Sequence, residues 1–240
     1  MLVELGSVYF GGTASVPGFS ACDSTLVSLG NTVPGMELEW VKYNNLLVST
    51  NCVCVDISWN TLYRLGYTFG HPVCIDGKSY LCRCPELGPM EGDPNEWDDI
   101  LAATTDDPGF WHCGHQWFWG QDTPKDMPLR RRIQGFHSPR NSASSASENH
   151  TALLGFRPIL EPLPPVPSDL CTLVGKRIFI SGPQGMTIGG KLVEFDEYDL
   201  VLEHVSRVKT ECNWVSNPSK DTIVDRASVL WLTETKKAPE

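Results

Sequence analysis

The segment Arg132-Ile133-Gln134-Gly135-Phe136-His137-Ser138-Pro139-Arg140 and the later segment Gly155-Phe156-Arg157-Pro158 decide the fold that we predict. Between them, residues 141–152 read Asn-Ser-Ala-Ser-Ser-Ala-Ser-Glu-Asn-His-Thr-Ala, and we call them the polar tract. Small polar residues without an apolar period predict a loop or linker. The stretch from Leu153 to Leu160 is abruptly apolar and predicts a buried strand.

Two signals upstream predict a hairpin and a short helix. Asp76-Gly77 lies between two short apolar runs, Pro72 to Ile75 and Ser79 to Cys84, and predicts a hairpin turn because glycine accepts a positive φ. Pro94-Asn95-Glu96 predicts the start of a helix from Glu96 to Ala103. The inward side chains of that helix are Trp97, Ile100 and Leu101.

Together these segments resemble the end of a C-type lectin fold, in the variety shared with formylglycine-generating enzymes. In that variety an Arg-Gly-Gly-Ser type segment precedes a closing Gly-Phe-Arg strand. Asp76-Gly77 and Asn95-Glu96-Trp97 also fit variants found in phages and gut bacteria, where such domains are often the variable proteins of diversity-generating retroelements. The resemblance covers roughly residues 36–163. It implies a C-type lectin-like domain. With the small all-β barrel expected after it, the predicted fold class is α+β.

The resemblance also implies a role for the polar tract. Retroelement variation substitutes adenine-derived codons, so varied positions become rich in Asn, Ser, Thr, Ala, His and Tyr, and residues 141–151 have that composition. Such residues suit adaptable hydrogen bonding in binding loops. The implied function is non-catalytic recognition of variable targets, and a flexible surface loop without a ligand is the alternative. The predicted ligand-binding residues are His115, Gln116, Phe118, His137, Asn141, Ser142, Ser144, Ser145, Ser147, Glu148, Asn149 and His150.

The aromatic segment from Phe110 to Trp119 holds five aromatic residues and two histidines in ten positions. We assign Trp117 and Trp119 to the core, since tryptophan is usually mostly buried. His115, Gln116 and Phe118 are then expected to face outward.

Arginines are expected to be structural as well. At least one of residues 130–132 is predicted to be buried and paired, although the three together could also form a patch for an anionic ligand. Arg157 lies next to Phe156, where a guanidinium needs a carboxylate or several carbonyl groups.

An enzymatic function is not predicted. Formylglycine-generating enzymes hold copper with a pair of cysteines late in the fold, and here no cysteine lies between Cys113 and Cys171. Nine cysteines without an export signal predict reduced, buried thiols, with metal binding and disulfides as alternatives. We expect no cofactor. The alternative from another class is a metal-dependent oxidase or hydrolase that would use Cys52, Cys54, Cys82, Cys84, His112 and His115.

Composition excludes several classes of protein. The chain has 240 residues, 41% of them hydrophobic, and a formal net charge of −10, which argues against binding nucleic acid through its phosphates. No apolar run reaches the roughly 18 residues of a membrane span, and we find no signal peptide at the N-terminus. A phage virion and the cytoplasm both stay open as locations. Residues 86–107 hold eight acids and no base, which predicts a solvated loop, with a calcium site as the alternative.

Further elements are predicted on both sides of these segments. Residues 36–42 and 46–59 are expected to form strands, and residues 59–67 a short helix that ends at Gly66. Prolines 162, 164, 165 and 167 predict a stiff linker. The predicted domains are an N-terminal segment at 1–35, the lectin-like domain at 36–163, the linker at 164–170 and the barrel at 171–240.

The C-terminal region carries a second resemblance. Residues 173–180, 190–196 and 200–202 are similar to the first motif of Sm-like and related SH3-type barrels. RNA-binding members carry an asparagine where this chain has Asp199, and a carboxylate repels phosphate. We therefore expect an oligomerisation or attachment module, with an RNA-binding Sm-like protein as the alternative. The expected partners are a variable protein or glycan, a host surface molecule if the protein comes from a phage, and further copies of the chain.

Overall fold

We describe the protein from a computed structural model at residues 1–163, 169–182, 187–210, 213–215, 222–226, 229 and 231–234. The chain divides into two compact units. Unit 1 contains residues 1–71 and 75–162, and unit 2 contains residues 72–74 and 163–240. Residues 164–168 of the predicted linker, and most of the turn predicted at residues 182–185, lie outside the described residues.

The predicted α+β fold class is wrong, because the protein is nearly all-β. Strand makes up 44% and helix 9% of the structure, and the described residues contain two α-helices, neither longer than eight residues. Two stretches that the prediction left without strands, residues 1–35 and the polar tract, contribute strands to the sheets. None of the described helices is long and apolar enough to cross a membrane.

The part of the chain up to residue 162 consists of fifteen short strands and two helices. Its strands are β1 (Leu2–Glu4), β2 (Ser7–Phe10), β3 (Thr13–Ser15), β4 (Phe19–Ser20), β5 (Val27–Gly30), β6 (Glu39–Tyr43), β7 (Leu46–Ser49), β8 (Cys54–Val55), β9 (His71–Ile75), β10 (Lys78–Arg83), β11 (Gln116–Trp119), β12 (Arg130–Phe136), β13 (Ser142–Ala146), β14 (Leu154–Phe156) and β15 (Ile159–Pro162). Its helices are α1 (Trp59–Leu65) and α2 (Glu96–Ala103).

These fifteen strands form three sheets. The first has the order β1-β6-β7-β15-β10-β9, the second has the order β13-β12-β11-β14-β8-β4, and a small third sheet has the order β3-β2-β5. The hairpin predicted at Asp76-Gly77 is confirmed as the β9–β10 connection. The second sheet contains β11 from the end of the aromatic segment, β12 with its three arginines, and β14, which is the predicted closing strand. It therefore carries most of the predicted ligand-binding segments.

Both predicted helices are confirmed, and each begins at a side-chain cap. The hydroxyl of Ser58 accepts a hydrogen bond from the Thr61 N–H before α1, and Gly66 ends that helix with a φ of 86°. The side chain of Asn95 accepts a hydrogen bond from the Asp98 N–H before α2. The three side chains predicted to face inward from α2 are buried.

Arg157 lies inside the core of unit 1 and is only 2% exposed. Its guanidinium donates to the backbone carbonyl oxygens of Ser49 at 3.0 Å and Trp111 at 2.7 Å. It also lies over the ring of Phe118, 4.9 Å from the ring centroid. Two carbonyl groups and aromatic faces therefore accommodate this charge. Of the two kinds of partner expected from the sequence, a carboxylate or several carbonyl groups, Arg157 has the carbonyl groups.

Unit 2 contains six described strands. They are β16 (Arg177–Ser181), β17 (Thr187–Phe195), β18 (Asp199–Thr210), β19 (Asn213–Val215), β20 (Thr222–Asp225) and β21 (Trp231–Glu234). The sheet order is β19-β18-β17-β16-β21, and β20 also pairs with β18. Register shifts after Gly189 and Leu192 bend β17 against β18, as bulges do. Ile178, Ile180 and Leu202 are fully buried in its core.

Candidate ligand-binding face

Two predicted ligand-binding residues from separate segments meet at one end of the second sheet. His115 directly precedes β11, and His137 directly follows β12. Their imidazole rings lie edge to face with centroids 4.7 Å apart. Phe136 contacts both imidazoles and stacks on the indole of Trp117 at 5.2 Å, with the two planes 6° apart. We call His115, Trp117, Phe136 and His137 the imidazole–aromatic cluster.

The backbone at Gly135 and Phe136 makes this cluster. Gln116 is paired with Phe136 and Trp117 with Gly135, so a regular ladder would place Phe136 on the opposite face of the sheet from Trp117. Instead, Gly135 has a φ of 111° and Phe136 a φ of 72°. A Cβ atom at position 135 would lie 2.8 Å from the Gln116 carbonyl oxygen. Glycine at this position therefore lets the phenyl ring of Phe136 reach Trp117.

The prediction for the faces of β11 is wrong at two positions. Phe118, expected to face a ligand, is completely buried and packs against Trp97 with ring centroids 4.7 Å apart. Trp117, assigned to the core, is only half-buried, whereas Trp119 is fully buried as predicted. Gln116 is half-buried and His115 is exposed. Phe118 packs into the core beside α2 and Arg157, whereas Trp117, near the start of β11, stacks on Phe136 in the cluster.

The polar tract is also different from its prediction, because residues 142–146 form the edge strand β13 instead of a loop. β13 pairs with β12 along its length, from Arg130 opposite Ala146 to Gln134 opposite Ser142. A strand at a sheet edge needs only one neighbour, and here that neighbour also supplies side-chain donors. The loop prediction fails because it considered local composition and not this pairing.

The serine hydroxyls of β13 are engaged within the protein. Ser144 Oγ accepts a hydrogen bond from Arg130 Nε at 2.8 Å, and Ser142 Oγ accepts one from the guanidinium of Arg132. Ser145 is buried and accepts a hydrogen bond from Asn149 Nδ2 at 3.0 Å. Arg132 is buried, as predicted for at least one of the three arginines. The hydroxyls therefore hold the edge strand in place rather than pointing freely at a ligand.

The turn after β13 presents the rest of the tract at the surface. Glu148, Asn149 and His150 are exposed, Asn141 is exposed at the other end of the strand, and Ser147 is half-buried. His150 Nδ1 lies 3.0 Å from Asp56 Oδ1. Together with the bond from the Asp56 N–H to the Thr151 carbonyl oxygen, this pair attaches the turn to the segment after β8.

A groove beside this turn was missed at the level of sequence. It has a volume of about 450 Å³ and is lined by Asp23, Ser58, Asn60, Tyr63, Arg64 and Glu148. Only Glu148 is among the predicted ligand-binding residues. The exposed ring of Tyr63, on the outer side of an amphipathic helix, is the signal that would have drawn attention to α1.

The residues of the metal-dependent alternative are not assembled into one site. Cys52, Cys54, Cys82 and Cys84 are free and completely buried, whereas His112 and His115 are exposed. Burial raises the pKa of the Cys52 thiol to about 11. The positive charge of the nearby Arg157 lowers this pKa, but by less than burial raises it. In the part of the chain that the structure describes, no three His, Cys, Asp or Glu side chains are arranged to hold a metal ion.

Comparisons with known proteins add little. No protein-family model matches the chain, and no curated protein matches it. Among solved structures, it is similar to a heptameric archaeal Sm protein at 22% identity, over 28% of this chain and 94% of that one, with a TM-score of 0.24. A likeness at this TM-score supports no statement about function.

Proposed function

We propose that this chain is a non-catalytic ligand-binding protein that recognises its target through the imidazole–aromatic cluster with the adjacent Asn141, and through the exposed turn at the other end of β13. The observation that carries the proposal is the contact between His115 and His137, at a ring centroid distance of 4.7 Å, beside the half-buried Trp117 and Phe136. Aromatic side chains with one accessible side are typical anchors of binding surfaces.

The proposal divides the predicted residues into two groups. Side chains that contact the ligand are those that the fold leaves exposed, namely His115, His137, Asn141, Glu148, Asn149 and His150. Ser142, Ser144 and Ser145 instead support the edge strand through the bonds to Arg130, Arg132 and Asn149. Gln116 and Ser147 are intermediate, and Phe118 is a core residue.

We further propose that the exposed positions are the varied positions of a C-type lectin-like variable protein. The composition of residues 141–151 supports this, as does the resemblance of the flanking segments. Exposed substitutions away from caps and buried bonds usually change stability by less than about 0.5 kcal/mol. A fixed scaffold with replaceable surface residues is what recognition of a variable protein or glycan target requires, including a host surface molecule if the chain comes from a phage.

Unit 2 is proposed to multimerise or anchor the binding unit. The support is the sequence similarity of residues 173–180, 190–196 and 200–202 to Sm-like and SH3-type barrels. Several weak sites joined in one assembly raise the overall avidity by orders of magnitude. Sedimentation of the full chain tests multimerisation, since a monomer at micromolar concentration contradicts it.

A library experiment tests the recognition face. A pool randomised at residues 115, 137, 141, 147 and 148 is displayed on yeast, treated with protease to remove unfolded members, and sorted for binding to streptavidin. A control pool is randomised at the buried residues 118, 132, 133, 134 and 145. We expect most members of the first pool to survive protease and to yield binders, and most of the control pool to be digested. Equal survival of the two pools, or a surviving first pool without binders, contradicts the proposal.

The nucleotide neighbourhood tests the diversification. We expect a reverse transcriptase gene and a near-copy of the segment that encodes residues 110–157, with differences only at adenines. The absence of both contradicts diversification, while leaving the library experiment to decide about binding.

A further inference from the structure

The groove between α1 and the turn after β13 has one aromatic wall that is rigidly held. The ring of Tyr63 is half exposed and stacks on the indole of Trp59 with centroids 5.3 Å apart and planes 6° apart. The ring of Phe69 packs edge-on against both. The Arg131 guanidinium lies 4.2 Å from the centroid of the same indole. The accessible side of Tyr63 is thus fixed before any ligand arrives, which lowers the entropic cost of binding.

Apart from the buried Ser58, the other side chains of the groove are planar hydrogen-bonding groups of mixed charge. Asp23 accepts a hydrogen bond from the Ser58 N–H at 2.8 Å. Burial raises the pKa of its carboxyl group, but hydrogen bonds from Ser58 and Thr61 and the nearby His150 lower it by more, so the pKa lies below its ordinary value. Arg64 donates to Thr61 Oγ1 at 2.6 Å, which fixes the guanidinium at the groove. Asn60 and Glu148 are exposed.

This combination of groups selects the chemistry of the ligand. Asp23 and Glu148 repel an anion, and Arg64 offsets one of the two carboxylates. An uncharged ligand is therefore inferred from the hydrogen-bonding groups of the groove. Carboxylates only accept hydrogen bonds, a guanidinium only donates them, and the amide of Asn60 does both. A hydroxyl group also donates and accepts, so neighbouring hydroxyl groups on one molecule satisfy both kinds of partner. The aromatic wall suits an apolar face of the same molecule.

We propose that this groove is a binding subsite for a neutral saccharide, held directly by protein side chains without a metal ion. The C–H face of a sugar ring packs on Tyr63, and its hydroxyl groups bond to Asp23, Asn60, Arg64 and Glu148. The volume of about 450 Å³ lies within the roughly 300–1,000 Å³ usual for small-molecule sites. The inference rests on the proposed function in one respect, which is that Glu148 belongs to the recognition face.

A printed array of neutral oligosaccharides of glucose, galactose, mannose and N-acetylglucosamine tests the subsite with the labelled full chain. We expect binding that persists in EDTA, falls about tenfold in Tyr63→Ala because the aromatic wall is lost, and is largely kept in Tyr63→Phe. Tyr198→Ala is the matched control, because Tyr198 is an exposed tyrosine in unit 2. Thermal unfolding of each variant establishes that it is folded.

Four outcomes overturn the proposal: no neutral glycan is bound, binding needs calcium, Tyr63→Ala binds as well as the natural chain, or only charged glycans or basic peptides are bound. The outcome also separates this subsite from the proposed recognition face. If streptavidin binders are selected from the tract library but no glycan is bound, the subsite fails alone. If glycans bind through Tyr63 but the library yields no folded binders, the recognition face fails alone.

Discussion

The Arg157 guanidinium donates from Nη2 to the carbonyl oxygen of Trp111 across 2.7 Å, inside the core of unit 1. Its Nη1 reaches the carbonyl oxygen of Ser49, so one side chain joins the end of β14 to the segment before β11 and to the end of β7. Burial lowers the pKa of Arg157, an effect that the nearby Cys52 and Cys113 thiols oppose. The closing strand is therefore held by a cation bonded to backbone carbonyl groups.

Replacing this arginine is expected to destabilise unit 1. Arg157→Met leaves two buried carbonyl groups without donors, which costs about 2–5 kcal/mol of the free energy of unfolding. Arg157→Lys keeps the charge but cannot supply the planar fork, so about 1–3 kcal/mol is lost. Urea unfolding followed by tryptophan fluorescence measures both. Arg140→Met is the control, because Arg140 makes an exposed ion pair with Asp106 and its loss costs about 1 kcal/mol or less. A lysine variant as stable as the natural chain contradicts this account.

Gly135→Ala is expected to disturb the imidazole–aromatic cluster. The new Cβ atom would lie 2.8 Å from the Gln116 carbonyl oxygen, at a φ of 111° that side chains rarely adopt. The cost is about 1–3 kcal/mol, and the His137 ring resonances in NMR spectra should shift as Phe136 moves. Gly114→Ala serves as the control, since a Cβ there meets nothing within 4 Å. Equal effects of the two substitutions would show that Gly135 does not shape the cluster.

Asp23 is expected to make the stability depend on acid pH. Its pKa lies below the ordinary 3.8 in the folded protein. A carboxyl group with a lowered folded pKa stabilises the fold above its unfolded pKa, and this contribution is lost as the pH falls through the folded pKa. Asp23→Asn should therefore be less stable by about 1 kcal/mol at pH 6–7, and the difference should shrink below about pH 4.

Urea midpoints between pH 2.5 and pH 7 measure this effect. Asp126→Asn is the matched control, because Asp126 shares the left-handed backbone conformation of Asp23 and is exposed. A difference for Asp23→Asn that stays constant with pH would refute the charge explanation.

The Cys52 thiol is expected to be unreactive in the folded protein. Burial raises its pKa to about 11, so less than about 1% is thiolate at pH 8, and the side chain is inaccessible. Iodoacetamide at pH 8 should label exposed cysteines such as Cys22 in the folded protein, and it should label Cys52 only after unfolding in urea. Mass spectrometry of peptides gives the order. Labelling of Cys52 at the rate of Cys22 without urea would contradict the buried environment.

Part of the candidate site was predictable from the sequence, and the rest depended on pairing between distant segments. His115 and His137 were expected to contact a ligand, and the structure brings them together at the surface. The alternation of Trp117 and Phe118 showed that they face opposite sides of a strand, but it did not show that both sides are covered further along. Phe118 packs on Trp97 and Arg157, and Trp119, on the side of Trp117, is also fully buried, so only Trp117 near the start of β11 stays partly accessible.

The amino-acid sequence alone determined the features that depend on neighbours in the chain. The caps at Ser58 and Asn95, the end of α1 at Gly66 and the Asp76-Gly77 turn all follow from local hydrogen bonding and backbone preference. Tertiary structure alone decided that the polar tract is an edge strand, and that Tyr63 and Glu148 share one groove. The physical reason is that these features depend on contacts between residues far apart in the chain. A strand edge and a groove form only after distant segments pair, and local composition does not indicate which segment the partner is.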